Sequence, residues 1–391
     1  PRSRPAAPAT MSASLYSWTR FAGRTAAAAL GREHDALPFK IVLVVTKRCH
    51  SRCVYCDIWK IKDRPDGLAH ELTGEEMARL AAANPYLHWI DFTGGEPTDR
   101  PDFVEVVQAF HRHCPDLLLV HFPTNGLATR RILSAAAELH RTVRARLVVT
   151  VSIDGPPELN DRLRGVPRDF EHAIATFIGL RQTLGPENVY VGMTLHAHST
   201  GGTQPTTREH VAATFAAVNA ALAAQNQSPI GWETLHLNIP HLSQHYYGNQ
   251  QAPATDGFGG PQHRAEVADA LRYAAGQTKQ HGAWGMRLLE RAYRQEALRY
   301  LATGRTRVPC SALQSTAYVS ERGELYPCTI WDKPLGNLRD TGYALQPLLA
   351  RARAAGVRAD VAAGRCPNCW TPCEAYPALA ASPLRAARAL L

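Results

Sequence analysis

The sequence predicts an α/β fold: a parallel sheet of six strands alternating with helices, followed by a small cysteine-rich domain. Three observations carry this expectation. Six short apolar, β-branched runs recur between residues 40 and 239, each separated from the next by a helical pattern. Strands separated by helices make parallel βαβ units. Polar and glycine-rich turns follow the strand ends in order, where α/β proteins carry their chemistry. Eight of the nine cysteines fall in two tight groups, one after the first strand and one near the C-terminus. Alternation alone fits a barrel and a doubly wound sheet equally well.

The first strand, 40–45, contains Ile41-Val42-Leu43-Val44-Val45, a continuous run of the kind buried on both faces. The others fall at 88–92, 117–122, 147–153, 188–195 and 234–239. Thr73-Gly74-Glu75-Glu76 opens the first helix with a capping box, running to Ala83. Helical patterns follow at 102–113, 128–140, 170–184 and 208–224. Residues 199–206 and 248–262, rich in Gly, Pro, Thr and Gln, read as loops, and 265–280 and 286–303 as bridging helices.

With 391 residues and 45% hydrophobic composition, the chain can bury a substantial core in one large and one small domain. No stretch approaches the roughly 20 apolar residues of a membrane span. The net charge is +9. The Arg- and Ala-rich composition is the favoured account of this basicity, and an anionic small-molecule substrate is the other. No nucleic-acid partner is expected, since the arginines do not alternate with aromatics. Residues 1–32 hold five arginines and no acid. A basic arm packed on the main domain is the favoured reading, ahead of membrane-surface contact. The CxxC-type spacings fit metal ligation in a reducing, cytoplasmic setting better than disulfides.

Cys49-x3-Cys53-x2-Cys56 follows the first strand directly. A closed zinc site wants four ligands, and an iron–sulfur cube wants one per iron. Three thiolates leave one iron open. The second strand ends in Thr93-Gly94-Gly95-Glu96-Pro97, the third in Thr124-Asn125-Gly126, and the fourth in Ser152-Ile153-Asp154-Gly155. This series resembles the core of the radical S-adenosylmethionine (SAM) superfamily over residues 38–245. The resemblance implies a partial (β/α)6 barrel. It also implies a SAM-binding 4Fe-4S cluster on Cys49, Cys53 and Cys56, whose electron cleaves SAM to a 5′-deoxyadenosyl radical. By the same resemblance, Gly94, Gly95, Glu96 and Pro97 bind the amino group of SAM, Ser152 and Asp154 its ribose, with Thr124 and Asn125 in the same pocket. Arg164 pairs with the SAM carboxylate, against the alternative of a solvated arginine. Tyr55 lies near adenine, against the alternative of core packing. The implied reductant is a flavodoxin or ferredoxin.

Cys310 and Cys328 sit at the base of a hairpin turning at Glu321-Arg322-Gly323-Glu324, and Cys366-x2-Cys369-x3-Cys373 follows. The layout resembles the SPASM and twitch auxiliary-cluster domains of radical SAM enzymes. It is closer to the shorter twitch form, with one auxiliary 4Fe-4S cluster on Cys310, Cys328, Cys366 and Cys369. A four-cysteine zinc ribbon is the competing reading. Cys373 is a fifth thiol: an alternative ligand, a hydrogen-atom donor, or inert. The domains are then a basic arm 1–37, core barrel 38–245, helical bridge 246–304, auxiliary-cluster domain 305–376 and tail 377–391.

His196, His241 and Tyr246 join Cys373 as candidate substrate-facing groups, since they lie at or after the fifth and sixth strands. The expected function is oxidation or epimerisation of a small polar biosynthetic intermediate, by a dehydrogenase, dehydratase or epimerase. Peptide or protein modification is the second reading. It ranks second because residues before 38 leave no room for a leader-binding domain. A non-catalytic iron–sulfur or zinc scaffold is the third, and the intact motif series argues against it.

Overall fold

The computed structural model describes residues 23, 37–195, 206–249, 261–277, 284–382 and 385–386. Six parallel strands alternate with helices: β1 Lys40–Thr46, α1 Gly74–Ala83, β2 Trp89–Gly94, α2 Phe103–His113, β3 Leu119–Thr124, α3 Thr129–Thr142, β4 Arg146–Ser152, α4 Pro157–Arg164, α5 Asp169–Leu184, β5 Val189–Thr194, α6 Arg208–Ala224 and β6 Leu235–Asn238. Then come α7 Pro261–Gln277, α8 Trp284–Thr303, the hairpin β7 Thr316–Val319 and β8 Leu325–Tyr326, α9 Leu345–Ala354, α10 Val357–Ala362 and α11 Pro372–Ala381. The strand order is β6-β5-β4-β3-β2-β1-β7-β8. This is the α/β partial barrel expected from the sequence, with one addition. β7 pairs in parallel with β1, from Lys40 opposite Thr316 to Leu43 opposite Val319. The C-terminal hairpin thus continues the barrel sheet.

Side chains on a strand alternate between faces. Ile41, Leu43 and Val45 of β1 join the outer core beneath the helices. Val42 and Val44 face inward with Tyr246, Tyr318 and Tyr326. α1 opens with the expected capping box: Glu76 N–H donates to Thr73 Oγ1 at 3.2 Å, and Thr73 N–H to Glu76 Oε2 at 2.8 Å. Glu76 also accepts from Arg339 Nε at 2.6 Å, Arg339 Nη2 at 3.1 Å and Tyr343 Oη at 2.9 Å. This cap therefore also clamps the C-terminal region onto the barrel.

α8 closes the β6 side of the sheet. Asn238 O of β6 accepts from Leu195 N, on the β5 side, at 2.9 Å. The alternate carbonyls, of Leu235 and Leu237, accept from Arg294 Nη2 at 2.7 Å and Tyr293 Oη at 3.2 Å. Arg294 and Tyr293 are both fully buried. The expected N-terminal arm and most of the 199–206 and 248–262 loops lie outside the described residues.

Candidate functional site

The thiol loop leaves β1 and hangs on α4. Arg52 N–H donates to Arg164 O at 2.9 Å, and Val54 N–H to Leu163 O at 3.0 Å. Gly165 permits this contact: its φ is +68°, and a Cβ there would stand 2.4 Å from Arg52 O. Cys53 is buried, and Cys49 and Cys56 are half-buried. Burial, then the neighbouring Cys53, pushes Cys49 up to about 11. Burial raises Cys53 and Cys56 as well. Three thiols on one short loop repel one another as thiolates, which cations placed among them would relieve.

The Gly-Gly turn after β2 abuts this loop. A Cβ on Gly94 would lie 2.1 Å from Thr46 O, and one on Gly95 2.0 Å from Arg48 O. Gly95 N–H donates to Thr46 O at 2.9 Å, and Glu96 N–H to Arg48 O at 2.7 Å. The Glu96 carboxylate is buried and turned to its neighbours. It accepts from Thr98 Oγ1 at 2.7 Å, Thr124 Oγ1 at 3.0 Å and Asn125 N at 2.7 Å. Glu96 thus ties the β2 turn to the β3 turn, while Pro97 opens the short helical turn Pro97–Asp99. Asn125 Nδ2 reaches Cys49 Sγ at 3.8 Å.

Tyr55, Asp154 and Arg164 form one cluster. Tyr55 Oη donates to Asp154 Oδ2 at 2.5 Å, and Arg164 Nη1 stands 3.2 Å from that oxygen and 3.3 Å from Tyr55 Oη. Thr194 N–H donates to Asp154 Oδ1 at 2.7 Å. Arg164 is 6% exposed, so it is not the solvated arginine of the competing reading. Ser152 lines the same cavity, half-buried.

That cavity, about 360 Å³, runs down the barrel interior. Its upper wall holds Cys49, Cys53, Cys56, Gly94, Gly95 and Asn125. Its lower wall holds inward side chains that no sequence motif singled out: Trp89 and Asp91 of β2, His121 of β3, Thr150 of β4, and Tyr190 of β5. Lys40 Nζ lies 2.7 Å from Asp91 Oδ2. Trp89 Nε1 donates to Asp91 Oδ1 at 2.6 Å, and His121 Nδ1 lies 3.2 Å from the same oxygen. His121 Nε2 lies 3.0 Å from Thr150 Oγ1. Burial would raise Asp91, but Lys40 and His121 hold it well below the usual carboxylate range. The signal available in the sequence was a polar residue at inward positions of otherwise apolar strands, Asp91 in WIDFTG and His121 in LVHFPT. His236 of β6, paired with Glu290 and bonded to Tyr376 Oη at 3.0 Å, completes this wall.

Tyr246 faces the cavity and bonds Thr93 Oγ1 at 2.6 Å. His241 also lines it, with a hydrogen bond to the Trp370 backbone and no partner on Nε2. Burial holds His241 down at about 4. His196 lies outside the described residues.

The second cysteine group divides. Cys310, Cys328 and Cys369 pack together around Ala312, Ile330 and Val361. Cys369 is raised by burial and then by Cys328, Cys310, Glu374 and Cys366, so these four thiols and Glu374 share one field. Cys373 instead packs with Cys49, Cys56 and Tyr247 around the inward face of β1 and lines the cavity. Its thiol is pushed up to about 12 by burial, against the pull of Lys40. Among the described residues, no three His, Cys, Asp or Glu side chains converge as one metal ion requires. A cube takes one thiolate on each of four irons and draws them from further apart.

Residues 43–211 match the family model described as Radical SAM superfamily. The PqqA peptide cyclase of Bradyrhizobium diazoefficiens is 34% identical over 137 residues, 34% of this chain and 33% of that protein. The molybdenum cofactor biosynthesis protein 1 of Drosophila melanogaster is 38% identical over 106 residues, 26% of this chain and 18% of that protein. The matched segments thus span a third or less of these relatives. Among solved structures, Streptococcus suis SuiB bound to S-adenosylmethionine superposes with TM-score 0.53 at 13% identity, over 85% of this chain and 72% of that one. Native anSMEcpe with bound AdoMet and Cp18Cys peptide gives 0.52 at 14% identity, over 89% and 98%. At these identities the likeness is one of fold. Among the described residues, no helix is long and apolar enough to cross a membrane.

Proposed function

The chain belongs to the radical SAM superfamily through residues 43–211, and from that premise we propose that it oxidises or epimerises a small polar substrate held in the barrel cavity. A single observation carries this reading. One cavity is walled above by the three motif cysteines and the Gly-Gly turn, below by a hydrogen-bonded polar layer, and on one side by Cys373.

Family membership implies a 4Fe-4S cluster and SAM, which when bound supply a 5′-deoxyadenosyl radical. The donor set fits: three thiols on one loop, with a backbone turn without Cβ atoms pressed against them. Cys49, Cys53 and Cys56 would hold the cluster, and Gly94 to Pro97, Thr124, Asn125, Ser152, Asp154, Tyr55 and Arg164 would surround SAM. Cys310, Cys328, Cys366 and Cys369 would hold a second 4Fe-4S cluster. The remaining work falls to the polar layer. Asp91 fixes the His121 ring with Nε2 toward Thr150, ready to bond a substrate hydroxyl or amine. The buried part of the wall, Val42, Ile58, Asp91 and Tyr246, would shield the site of hydrogen abstraction from water. Two arginines line the cavity: Arg164 pairs with Asp154, and Arg146 bonds Asn188 Oδ1 at 2.8 Å and the Glu187 carbonyl at 2.6 Å. A flavodoxin or ferredoxin would supply the electron.

A second reading, a single peptide side chain in the same cavity, is favoured by the relation to a PqqA peptide cyclase. Products separate the two, since only one reading alters a peptide's mass or its sites of cleavage.

The experiment is anaerobic reconstitution with iron and sulfide, then SAM and dithionite. The native chain should hold about eight irons, and a Cys49→Ala/Cys53→Ala/Cys56→Ala variant about four. 5′-Deoxyadenosine should form only with the former. A native chain holding about four irons, all lost in the variant, would remove the second cluster and with it the oxidative reading. Zinc binding without SAM cleavage would leave a scaffold.

A further inference from the structure

Residues 243–249 run between the two cysteine groups and bond to both. Toward the first, Asp57 N–H donates to Tyr247 O at 2.9 Å, and Asn249 Nδ2 to Tyr55 O at 2.9 Å. Buried Lys47 donates from Nζ to Tyr246 O at 2.8 Å and to His245 O at 3.0 Å. Toward the second, Ser243 Oγ donates to Thr329 O at 2.7 Å, and His245 Nε2 lies 3.0 Å from Cys328 O. A carbonyl only accepts, so Nε2 carries the proton. The His245 ring stacks on Tyr326 at 4.2 Å and 6°.

The segment is also closed on itself. Ser243 N–H donates to Asn249 Oδ1 at 2.9 Å, and Tyr247 N–H to Ser243 O at 3.1 Å. Ser243, Tyr246 and Asn249 are each under a tenth exposed. A small, buried, internally bonded unit moves as one piece, because packed interiors have few intermediate arrangements. Its bonds to the thiol loop are made by backbone atoms on at least one side. Its hold on the second group runs through two side chains, Ser243 and His245.

We propose that His245 is a positioning residue for the SAM site. It passes the state of the Cys328 turn to the loop carrying Cys53, Tyr55 and Cys56. This rests on the radical SAM reading above and goes beyond it. An intact second site steadies the Cys328 carbonyl, the carbonyl holds His245, and the 243–249 unit then fixes Tyr55 and Cys56. Spatial placement between two sites suggests coupling, and a mutant cycle measures it.

The test uses the full chain, reconstituted anaerobically, with SAM itself as the probe. SAM affinity is read from the change it causes in the electron paramagnetic resonance of the reduced first cluster. Four chains are compared: native, Cys366→Ala/Cys369→Ala, His245→Phe, and the combination. Disabling the second site should weaken SAM binding about five- to tenfold, the lower end of measured couplings. His245→Phe keeps the stack and drops the donor, and should weaken it by a similar factor. The combination should be no weaker than the weaker of the two. His245→Gln, whose amide N–H can reach the Cys328 carbonyl, should restore native affinity. The proposal is overturned if Cys366→Ala/Cys369→Ala leaves affinity within twofold, if the two factors multiply, or if His245→Gln behaves like His245→Phe. Iron content and thermal unfolding, measured on every chain first, keep folding defects apart from lost coupling. A native chain that binds neither iron nor SAM would sink the radical SAM reading, and this inference with it. A chain that binds both but shows no coupling would sink only the role of His245.

Discussion

Asp91→Asn takes the charge from a carboxylate that sits 2.7 Å from a fully buried ammonium. Lys40 keeps its bond to Cys373 O at 2.7 Å and its place 4.3 Å over the Trp89 ring. Neither replaces an ionic partner. Breaking one side of a buried pair typically costs about 3–5 kcal/mol. For 391 residues, an unfolding entropy of roughly 2.1 cal/mol/K per residue gives about 0.8 kcal/mol/K. The melting temperature should therefore fall by about 4–6 °C, read by far-UV circular dichroism on the metal-free chain at pH 7. The pH dependence has a definite sign. Asp91 is depressed in the folded chain. Its contribution is therefore full above the unfolded carboxylate value of about 4 and is lost as pH falls toward the depressed value. Native and variant curves should converge in acid. Lys40→Met/Asp91→Leu, which removes both charges, should melt within about 2 °C of native. An Asp91→Asn chain as stable as native, or a double variant as damaged as the single, would refute the reasoning.

Two further outcomes follow from the same geometry. Cys373→Ala should retain the native iron content, about eight on the radical SAM reading, because its thiol faces the barrel; a loss of about four irons by chemical analysis would make Cys373 a ligand. Glu76→Ala removes an N-terminal cap and the Arg339 pair together, and should cost about 1–2 kcal/mol in a urea titration. Arg339, ahead of the Thr73 and Tyr343 bonds, holds the Glu76 carboxyl at about 2. That stability should fade as pH drops from about 4.5 toward 2 in the native chain only, and a native chain without this acid loss would count against the clamp.

Six strands and their helices were legible because local periodicity and turn chemistry specify them. α4 was not: PELNDRLR buries only Leu159 and Leu163 among its apolar residues, too few to mark a stripe. Yet α4 carries Arg164 and supports the thiol loop. β7 was read as a hairpin strand, but its pairing with β1 links residues 40 and 316, a contact no local pattern encodes. The motif cysteines and turns were visible as spacing. The Lys40–Asp91–His121 layer was visible only as polar residues in apolar strands, and its assembly depends on register across β1, β2 and β3. The parting of Cys373 from Cys369 depends on a helix start. Thr371 is the N-cap of α11 and Pro372 begins it, and that change of backbone direction sends the next thiol toward the barrel.

The β6 edge bears on how a larger partner could be received. An extended chain adds itself to a sheet through a row of free carbonyls and amides. Here Arg294 and Tyr293 already occupy the outward carbonyls of Leu235 and Leu237. At the opposite end, Leu325 of the two-residue β8 donates to Gly336 O at 2.9 Å and accepts from Leu335 N at 2.8 Å. Both margins of the sheet are thus blunted against strand addition, as protected edges are in proteins that avoid edge-to-edge association. Among the described residues, a polypeptide presented to this barrel would find these edge groups taken and could not be zipped onto the sheet there by its backbone.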